Sequence, residues 1–347
     1  MVRDPNQTHT SAMNMTSPNQ IKAKVLLADI GGTNARFAVL DDGVVGGMTH
    51  LLVRDHATFH GALDKYLDGR TAPDGIGAAV IAVAGPVQNG RCVLTNSSWV
   101  IDERELCAAY GLSTARLIND FEAVAWSLPH LGADRLLQIG GRQPASGMPL
   151  AAVGPGTGLG VGVNIPHAAG HVVLASEGGH TTMAANSPRE DAVIDQLRRR
   201  FGHVSAERVL SGSGLENLYR ALAVLDGLVV PDRSAAEIAR DGINGSCATS
   251  RAAIGMFCAM LGNVAGNLAL TVGAKGGIYI AGGILRQMPD YLVASEFRAR
   301  FEDKGRLRSY LEPIPAYLIV DDDIAFTGLR ALANVIIGPS AEADGRG

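Results

Sequence analysis

Cysteine, aromatic residues and basic runs are scarce in this sequence, and each shortage argues against a class of protein. The four cysteines, at positions 92, 107, 247 and 258, form neither a Cys-x-x-Cys pair nor a zinc-binding spacing. A disulfide scaffold and a zinc module are therefore not expected. The net charge is -4 and no long lysine and arginine run occurs, so no nucleic-acid partner is expected. Reduced cysteines of this kind are typical of a cytoplasmic protein.

Two further absences concern membranes and export. The sequence has no uninterrupted stretch of about 18 apolar residues, so we predict neither a transmembrane helix nor a membrane partner. Residues 1–22 are polar, rich in Asn, Thr and Ser, and lack the apolar centre of a secretory signal. We expect a disordered tail there.

What the chain does have is length, apolar residues and glycine. Its 347 residues are 47% apolar and include 43 glycines. This is long for one hydrophobic core and predicts two domains. The glycine content, with only 5% aromatic residues, is typical of an α/β protein with many tight turns.

Two glycine-rich turns divide the chain into halves of similar pattern. Residues 25–28 predict a buried strand that runs into the turn Asp29-Ile-Gly-Gly-Thr-Asn34 and on into a second strand. The same order returns about 125 residues later, with a strand at 150–153 and the turn Gly154-Pro-Gly-Thr-Gly-Leu-Gly160. This weak repeat predicts two facing halves, with one glycine turn on each wall of a cleft.

The composition of the first turn indicates phosphate binding. Glycine allows φ > 0 and leaves room for phosphate oxygens to reach backbone N–H groups. Thr33 and Asn34 add side-chain donors, and Asp29 at the strand end is suited to orient Mg²⁺ through water. A hairpin without a ligand would be the alternative for a glycine pair alone, but the flanking Asp, Thr and Asn favour the phosphate site.

Neither turn fits the common nucleotide-binding fingerprints. No register across Gly154–Gly160 gives Gly-x-Gly-x-x-Gly, because the sixth position falls on Leu159, Val161 or Val163. No Gly-Lys-Ser/Thr occurs in the sequence, so a Walker-type loop is absent too. Turns that join strand to strand therefore point away from Rossmann and P-loop enzymes.

An ordered set of motifs between residues 25 and 335 carries a resemblance to a known family. The motifs are 27–40 (LADIGGTNARFAVL), 81–87 (IAVAGPV), 117–125 (LINDFEAVA), 153–162 (VGPGTGLGVG), 176–180 (SEGGH), 202–215 (GHVSAERVLSGSGL), 276–284 (GGIYIAGGI) and 301–306 (FEDKGR). In this order they resemble the bacterial ATP-dependent glucokinase family, within the actin/hexokinase/sugar-kinase superfamily.

The resemblance implies two actin/hexokinase-like (ribonuclease H-like) α/β domains around a deep cleft that closes on sugar. We expect a small domain of residues 23–130 completed by a C-terminal helix at about 321–338, and a large domain of residues 131–320. The implied reaction is transfer of the γ-phosphoryl group of Mg-ATP to the 6-hydroxyl of glucose, a step of glycolysis. The resemblance also suggests a cytoplasmic homodimer whose small-molecule partners are glucose and ATP.

Matched motif by motif, Asp120 resembles the catalytic base and Asn119 its sugar-binding neighbour. Glu177, His180 and Glu207 resemble the other ligands of the sugar hydroxyls. The residues implied to bind ATP are Ala28, Asp29, Ile30, Gly31, Gly32, Thr33 and Asn34 in the first turn, Gly156, Thr157 and Gly158 in the second, and Gly282 and Gly283 at the adenosine.

The residue types agree with this chemistry, although each also has a structural alternative. Phosphoryl transfer needs alignment, charge neutralisation and a group that accepts the hydroxyl proton, and carboxylates and imidazole suit sugar hydroxyls. Asp120 could instead cap the next helix, and the two roles are compatible. His180 taken alone would be a structural histidine, and Glu207 is favoured by the dipole at the start of a helix.

One departure and two other functions stay open. Thr181-Thr182-Met183 after His180 differ from the family pattern, so the surroundings of the sugar ligands are not predicted. The chain could be a kinase for another hexose or an amino sugar, or a sugar-sensing regulator without catalysis. The intact Asp120 and both glycine turns argue against the regulator. Substrate selectivity, donor range and oligomeric state are not specified by pattern.

Overall fold

Two mixed β-sheets with helices packed on them form the fold of the computed structural model, which describes residues 24–68, 75–94 and 97–338. The predicted tail at 1–22 lies outside the described residues. The elements of the first part are β1 (Lys24–Ile30), β2 (Asn34–Asp41), β3 (Val44–Leu52), α1 (Phe59–Asp68), β4 (Ile76–Val83), β5 (Arg91–Val93), β6 (Val100–Asp102), α2 (Glu103–Tyr110), β7 (Thr114–Asn119) and α3 (Asp120–Ser127).

The second part begins after α3 and ends with a helix that returns to the first sheet. Its elements are β8 (Leu136–Gly140), β9 (Leu150–Pro155), β10 (Leu159–His167), β11 (Gly170–Ser176), α4 (Pro188–Phe201), α5 (Gly212–Leu225), α6 (Ala235–Ile243), α7 (Ala248–Val272), β12 (Gly277–Ile280), α8 (Gly283–Arg286), α9 (Pro289–Ala294), α10 (Phe297–Glu302), α11 (Arg308–Leu311), β13 (Ala316–Ile319) and α12 (Ile324–Ile337).

The two larger sheets share one topology. The first has the order β3-β2-β1-β4-β7, and the second has the order β11-β10-β9-β12-β13, with β8 added at its far edge. In each sheet three antiparallel strands form a meander, and two further strands join it in parallel. The predicted α/β fold and internal repeat are therefore confirmed, and the repeat is stronger in topology than in sequence.

Helices cover both faces of the first sheet. One face packs on α1 and α2 through a cluster that includes Phe37, Phe59 and Leu106. The other face packs on α3 and α12 through a cluster that includes Trp126 and Leu329. Because both faces are buried, β4 is an almost unbroken apolar run, Ile-Gly-Ala-Ala-Val-Ile-Ala-Val.

The helix α7 corrects the expectation that no segment is long and apolar enough to cross a membrane. Among the described residues, the 25-residue helix Ala248–Val272 is long and apolar enough by length and composition, although uncharged polar residues such as Asn263 interrupt its apolar run. However, 67% of its most apolar window is buried inside the structure. Contacts to α5, α6 and α10 surround it, as expected of a central core helix.

Candidate active site

The first glycine turn, at residues 31–33, joins β1 to β2. The Gly31 N–H donates to the Asn34 carbonyl at 2.9 Å, while Gly32, Thr33 and Asn34 are exposed. The prediction that these glycines supply φ > 0 is wrong, since neither Gly31 nor Gly32 has a positive φ. A Cβ on Gly31 would approach only the Asn34 carbonyl, at 3.5 Å. The fold therefore tolerates a side chain at Gly31, and what glycine provides there is open backbone for a ligand to approach.

Asp29, at the end of β1, is held by an arginine of the neighbouring strand. Arg36 donates to Asp29 Oδ2 through Nε at 3.1 Å and through Nη2. The same guanidinium donates from Nη1 to Asp323 Oδ1 and to the Asp322 carbonyl, both at 3.2 Å. Arg36 thus links the predicted Mg²⁺-orienting carboxylate to the start of α12, a contact that sequence reasoning missed.

Asn119 and Asp120 lie where β7 passes into α3. Asn119 is the N-cap, and its side chain accepts a hydrogen bond from the Phe121 N–H at 2.8 Å. Asp120 is the first helical residue, so the alternative in which Asp120 caps the helix is wrong. Its Oδ1 shares the Phe121 N–H at 2.8 Å. Because Asn119 caps α3, Asp120 is not needed for that role.

The environment of Asp120 is that of a proton acceptor. Burial raises the pKa of its carboxyl from 3.8 to about 6, the Phe121 N–H opposes this rise, and the carboxylates of Asp29 and Glu177 add to it. The charges of Asp29 in β1 of the first sheet and of Glu177, directly after β11 of the second sheet, therefore both act on Asp120. A carboxyl with this pKa is ionised at neutral pH yet basic enough to accept a proton.

The second glycine turn, between β9 and β10, is closed by its own backbone and by α5. Gly156 donates to the Gly158 carbonyl at 2.8 Å, and its own carbonyl accepts from Gly212 at 2.9 Å. Thr157 is exposed at the tip. Gly212 is the first residue of α5, so the turn lies at the start of a long helix, where N–H groups favour anions.

Gly282 and Gly283 lie beside this second turn. Gly282 has a φ of 108° and packs on Pro155, so that a Cβ would lie 2.1 Å from the Pro155 carbonyl oxygen. Glycine is required at this position by both conformation and space. Gly283 begins α8. The structure thus brings together the predicted phosphate-binding and adenosine-binding segments of the second half.

Phe121 packs the start of α3 onto the glycines of the second sheet. A Cβ on Gly160 would lie 1.8 Å from Phe121 Cδ2, and a Cβ on Gly154 would lie 2.4 Å from Phe121 Cζ. These glycines are needed because the ring occupies the space that side chains would fill. Since Phe121 follows Asp120, this contact sets Asp120 opposite the second turn. The glycine spacing suggested a ligand site and gave no signal for this packing role.

Glu177 directly precedes a single turn of 3-10 helix, Gly178–His180, and His180 is the last residue of that turn. Their side chains are 76% and 60% exposed, and His180 Nε2 lies 3.7 Å from Glu177 Oε2. Gly179 packs directly on the Leu159 carbonyl oxygen, 2.0 Å from where its Cβ would be. The turn therefore approaches β10 closely while both polar side chains are free to bind a ligand.

Glu207 contacts the second glycine turn. Its Oε2 accepts from the Leu159 N–H at 3.0 Å, and a Cβ on Gly158 would lie 2.4 Å from the same oxygen. Its helix is only a 3-10 turn, Ala206–Arg208, whose N-cap residue Ser205 makes no side-chain capping bond, so the dipole of a long helix does not explain the carboxylate. Glu207 instead fixes the backbone that follows the turn.

The segment Thr181-Thr182-Met183, which departs from the family pattern, pairs through its backbone with the segment before Glu207. Ala206 donates to the Thr181 carbonyl at 2.8 Å, and Met183 donates to the Val204 carbonyl at 2.9 Å. This short ladder connects the segment after His180 to the segment before Glu207. The three predicted sugar ligands of the second half therefore belong to one connected piece of backbone.

The described residues do not form a protein cage for a metal ion. Among them, no group of three or more His, Cys, Asp or Glu side chains could hold one. Asp29 is already paired with Arg36. This arrangement fits Mg²⁺ that is held chiefly by nucleotide phosphates and water, with Asp29 as a single supporting carboxylate.

A glycine turn on each of two sheets of matching topology, with the half-buried carboxyl of Asp120 at the start of α3, is the arrangement expected of the actin/hexokinase-like sugar kinases. Comparison with known families agrees. The chain belongs to the family described as Glucokinase, whose model matches residues 26–335.

The chain is similar over most of its length to named members of this family. A glucokinase of Paramagnetospirillum magneticum is 48% identical over 313 residues, which are 89% of this chain and 97% of the relative. A glucokinase of Chromobacterium violaceum is 45% identical over 307 residues, 88% of each chain. A crystal structure of a glucokinase from an Antarctic psychrotroph matches with a TM-score of 0.81 and 36% identity, covering 89% of this chain and 98% of that one.

More distant structures share the fold. A glucokinase of Balamuthia mandrillaris in complex with glucose has a TM-score of 0.72 at 20% identity, covering 91% of this chain and 94% of that one. A ROK family glucokinase of Streptomyces griseus in complex with glucose and AMPPNP has a TM-score of 0.59 at 19% identity, covering 89% and 99%. These likenesses confirm the two-domain hexokinase-like fold.

Proposed function

We propose that this chain transfers the γ-phosphoryl group of ATP to the 6-hydroxyl of D-glucose, giving glucose 6-phosphate and ADP, with Asp120 as the general base. The observation that carries the proposal is the position of Asp120 at the start of α3, a half-buried carboxyl whose pKa is raised to about 6 by burial and by the charges of Asp29 and Glu177. Relatives named glucokinase at 48% and 45% identity support the choice of reaction.

The sugar would be held by Asn119, Glu177, His180 and Glu207. The exposed Glu177 and His180 side chains can accept or donate hydrogen bonds to several hydroxyls. The Asn119 amide, oriented by its 3.4 Å hydrogen bond to the Gly85 carbonyl, adds a further polar group beside Asp120. In this arrangement the 6-hydroxyl faces Asp120, which accepts its proton as the oxygen attacks the phosphoryl group.

The nucleotide would lie across the cleft, with its phosphates against both glycine turns. The Gly31 and Gly156 N–H groups already donate within the turns, so the N–H donors for phosphate would come from the other residues of Gly31–Thr33 and Gly156–Gly158. Ala28, Ile30 and Asn34 would complete the first segment. Gly282 and Gly283 would contact the adenosine. When bound with ATP, Mg²⁺ would neutralise phosphate charge, and Asp29, fixed by Arg36, is the residue that would orient its water.

Domain limits, assembly and location are part of the same proposal. We assign residues 23–130 and about 321–338 to a small domain, and 131–320 to a large domain, because α12 packs on α3, β1 and β4 although it follows the second sheet. We also propose a homodimer that acts in glycolysis in the cytoplasm, with glucose and ATP as its small-molecule partners. The burial of α7 in the core supports a core role for this helix over a membrane span.

The base assignment is tested with Asp120→Ala. We expect turnover of glucose to fall by at least about 100-fold, because proton transfer by a positioned group contributes 10²–10⁴ in rate. Glucose binding measured by calorimetry should stay within about fivefold of the wild type. A variant with near-normal kcat would show that Asp120 is not the base, and a loss of glucose binding equal to the loss of kcat would show that it only holds the sugar.

A further inference from the structure

Glu190 is a buried carboxylate outside the site described above. It lies in the first turn of α4, and only 3% of the residue is exposed. A carboxylate is costly to bury unless it is paired and hydrogen-bonded. Its partners therefore show what the buried charge does.

The two oxygens of Glu190 contact different parts of the chain. Oε2 accepts from the backbone N–H of Asn186 at 2.7 Å. Oε1 pairs with Arg300 of α10, which is 110 positions away in sequence. Asn186 ends the segment that begins at His180, so Glu190 ties the end of the proposed sugar-binding segment to α10.

An ordinary capping box in the same chain shows how Glu190 differs. At α6, Glu237 accepts from the N–H of its own cap residue, Ser234, at 2.8 Å, and both residues are exposed to solvent. At α4, the cap Ser187 accepts from the Glu190 N–H at 3.3 Å, but the Glu190 carboxylate reaches past the cap to Asn186. Helix capping alone requires neither this reach nor a buried arginine partner.

The segment between His180 and α4 is thus held at both ends. Its first residues form the ladder with Val204–Ala206, through Thr181 and Met183. Its last residue, Asn186, is held by Glu190. With the Glu190 bond removed, the segment would keep the ladder at Thr181 and Met183 and its covalent link to Ser187, the N-cap of α4, but would lose the hydrogen bond that fixes the Asn186 backbone.

We propose that Glu190 is a positioning residue for the sugar side of the site, acting through Asn186 on the segment that carries Glu177 and His180. The inference rests on the proposed function, because those two residues are the proposed sugar ligands. Glu190 itself lies outside the sugar-binding set and touches neither glycine turn through the bonds described above.

The test compares Glu190→Ala with Glu190→Gln in steady-state kinetics. Glu190→Ala removes the acceptor for Asn186, and we expect KM for glucose to rise roughly 5- to 20-fold, since small misplacements of binding groups are costly. KM for ATP should stay within about twofold of the wild type, because Glu190 is not bonded to either glycine turn and the binding of the nucleotide is unaffected. Glu190→Gln keeps an acceptor oxygen for Asn186 and should hold KM for glucose within about threefold of the wild type.

A matched control separates positioning from general destabilisation. Glu302 of α10 pairs with Arg298 at 2.6 Å, with side chains 14% and 16% exposed, but has no bond to the sugar-binding segment. Glu302→Ala should lower the melting temperature without moving KM for glucose. If Glu190→Ala does not fold, Glu190→Asp withdraws the carboxylate by one methylene and should raise KM for glucose in the same way.

Three outcomes would overturn the inference: an unchanged KM for glucose in folded Glu190→Ala or Glu190→Asp, an equal rise in KM for ATP in these variants, or the same rise in KM for glucose in Glu302→Ala. A wild-type protein that does not phosphorylate glucose would instead refute the proposed function. The two failures are therefore distinguishable.

Discussion

At the scale of single residues, the junction of β7 and α3 gives the role of helix cap to Asn119 and leaves Asp120 for the proposed role of proton acceptor. The sequence alone does not show which residue has which role. Asn119 provides the helix cap, and Asp120 is a half-buried carboxyl whose pKa is raised to about 6. Sites that place an ionised group in a buried position commonly lose stability in exchange for function. Asp120 should therefore destabilise the folded protein when it is ionised.

This cost predicts a pH-dependent effect of Asp120→Asn. Since the pKa of Asp120 is raised from 3.8 to about 6 on folding, its contribution to stability is full below about pH 4 and is lost as the pH rises through about 6. We expect Asp120→Asn to exceed the wild type in free energy of unfolding by roughly 1–3 kcal/mol at about pH 7.5, and by less at about pH 5. Urea denaturation without nucleotide at both pH values measures this difference.

Asn119→Ala is the control for this measurement. It removes an N-cap and should lower the free energy of unfolding by about 1 kcal/mol at both pH values. An Asp120→Asn difference that does not change with pH would contradict the account of Asp120.

Residue types could be predicted from the sequence here, but their partners could not. The Asn-Asp pair at the end of a strand was identified, yet which of the two caps α3 depends on backbone angles at Asn119. The role of glycine at Gly31 was misjudged, because a turn with open backbone and a turn with φ > 0 require the same residue. Arg36 and Glu190 were missed, since Asp323 and Arg300 lie far away in the chain.

At the scale of elements, the contact between α3 and the second sheet determines where Asp120 lies. Gly154 and Gly160 leave the space that the Phe121 ring fills. The glycine turn therefore has two roles, an open loop for phosphate and a close-packing surface for a helix of the other half.

Gly160→Ala should disrupt this packing. Its Cβ would lie 1.8 Å from Phe121 Cδ2, and we expect a loss of roughly 2–4 kcal/mol in free energy of unfolding, together with reduced kcat. Adding Phe121→Leu to Gly160→Ala should recover part of the stability, as a double-mutant cycle by urea denaturation would show.

Gly156→Ala is the matched control in the same turn. A Cβ on residue 156 would have no neighbouring atom within 4 Å. The free energy of unfolding of Gly156→Ala should therefore stay within about 0.5 kcal/mol of the wild type. Equal losses in Gly156→Ala and Gly160→Ala would contradict the packing role of Phe121.

Long elements with a clear apolar pattern were predicted, and short ones were not. The strands at 25–28 and 150–153 follow from continuous apolar runs. The strand β8 and the helices α8 and α11, the last two of only four residues each, were missed. Elements this short contain too few residues for a periodicity to be recognised, and tertiary packing determines them.

At the scale of the whole molecule, a run of three aspartates connects the second sheet to α12 and is held by arginines from three elements. Arg135 donates to Asp321 at 2.9 Å, Arg286 of α8 pairs with Asp322, and Arg36 of β2 donates to Asp323 at 3.2 Å. The ion pairs link this crossing segment to both halves. A junction held by polar contacts on the surface is compatible with rotation of one half against the other.

We therefore expect glucose to close the cleft. Small-angle X-ray scattering should show a smaller radius of gyration with saturating D-glucose than without sugar, since ligands between two domains favour closure. L-glucose, whose hydroxyls cannot match the same ligands, should leave the scattering curve unchanged. Identical curves with and without D-glucose would contradict a closing cleft.

The repeated topology could be anticipated from the two glycine turns, because each turn joins two consecutive strands at the start of its half. The position of α12 could not be derived from local pattern, since an amphipathic helix carries no mark of the sheet it covers. Its place came from the family resemblance, and the packing of its own Phe326 and Leu329 into the core of the first sheet comes from the structure.

The most direct test of the central claim is a phosphorylation assay of the wild-type protein with ATP across glucose, mannose and N-acetylglucosamine, with the product identified by NMR. The account predicts the highest kcat/KM for glucose and a phosphate on its 6-hydroxyl. A much higher kcat/KM for mannose or N-acetylglucosamine would assign the site to another sugar. Glucose binding without any turnover would contradict the account and make the protein a sugar sensor.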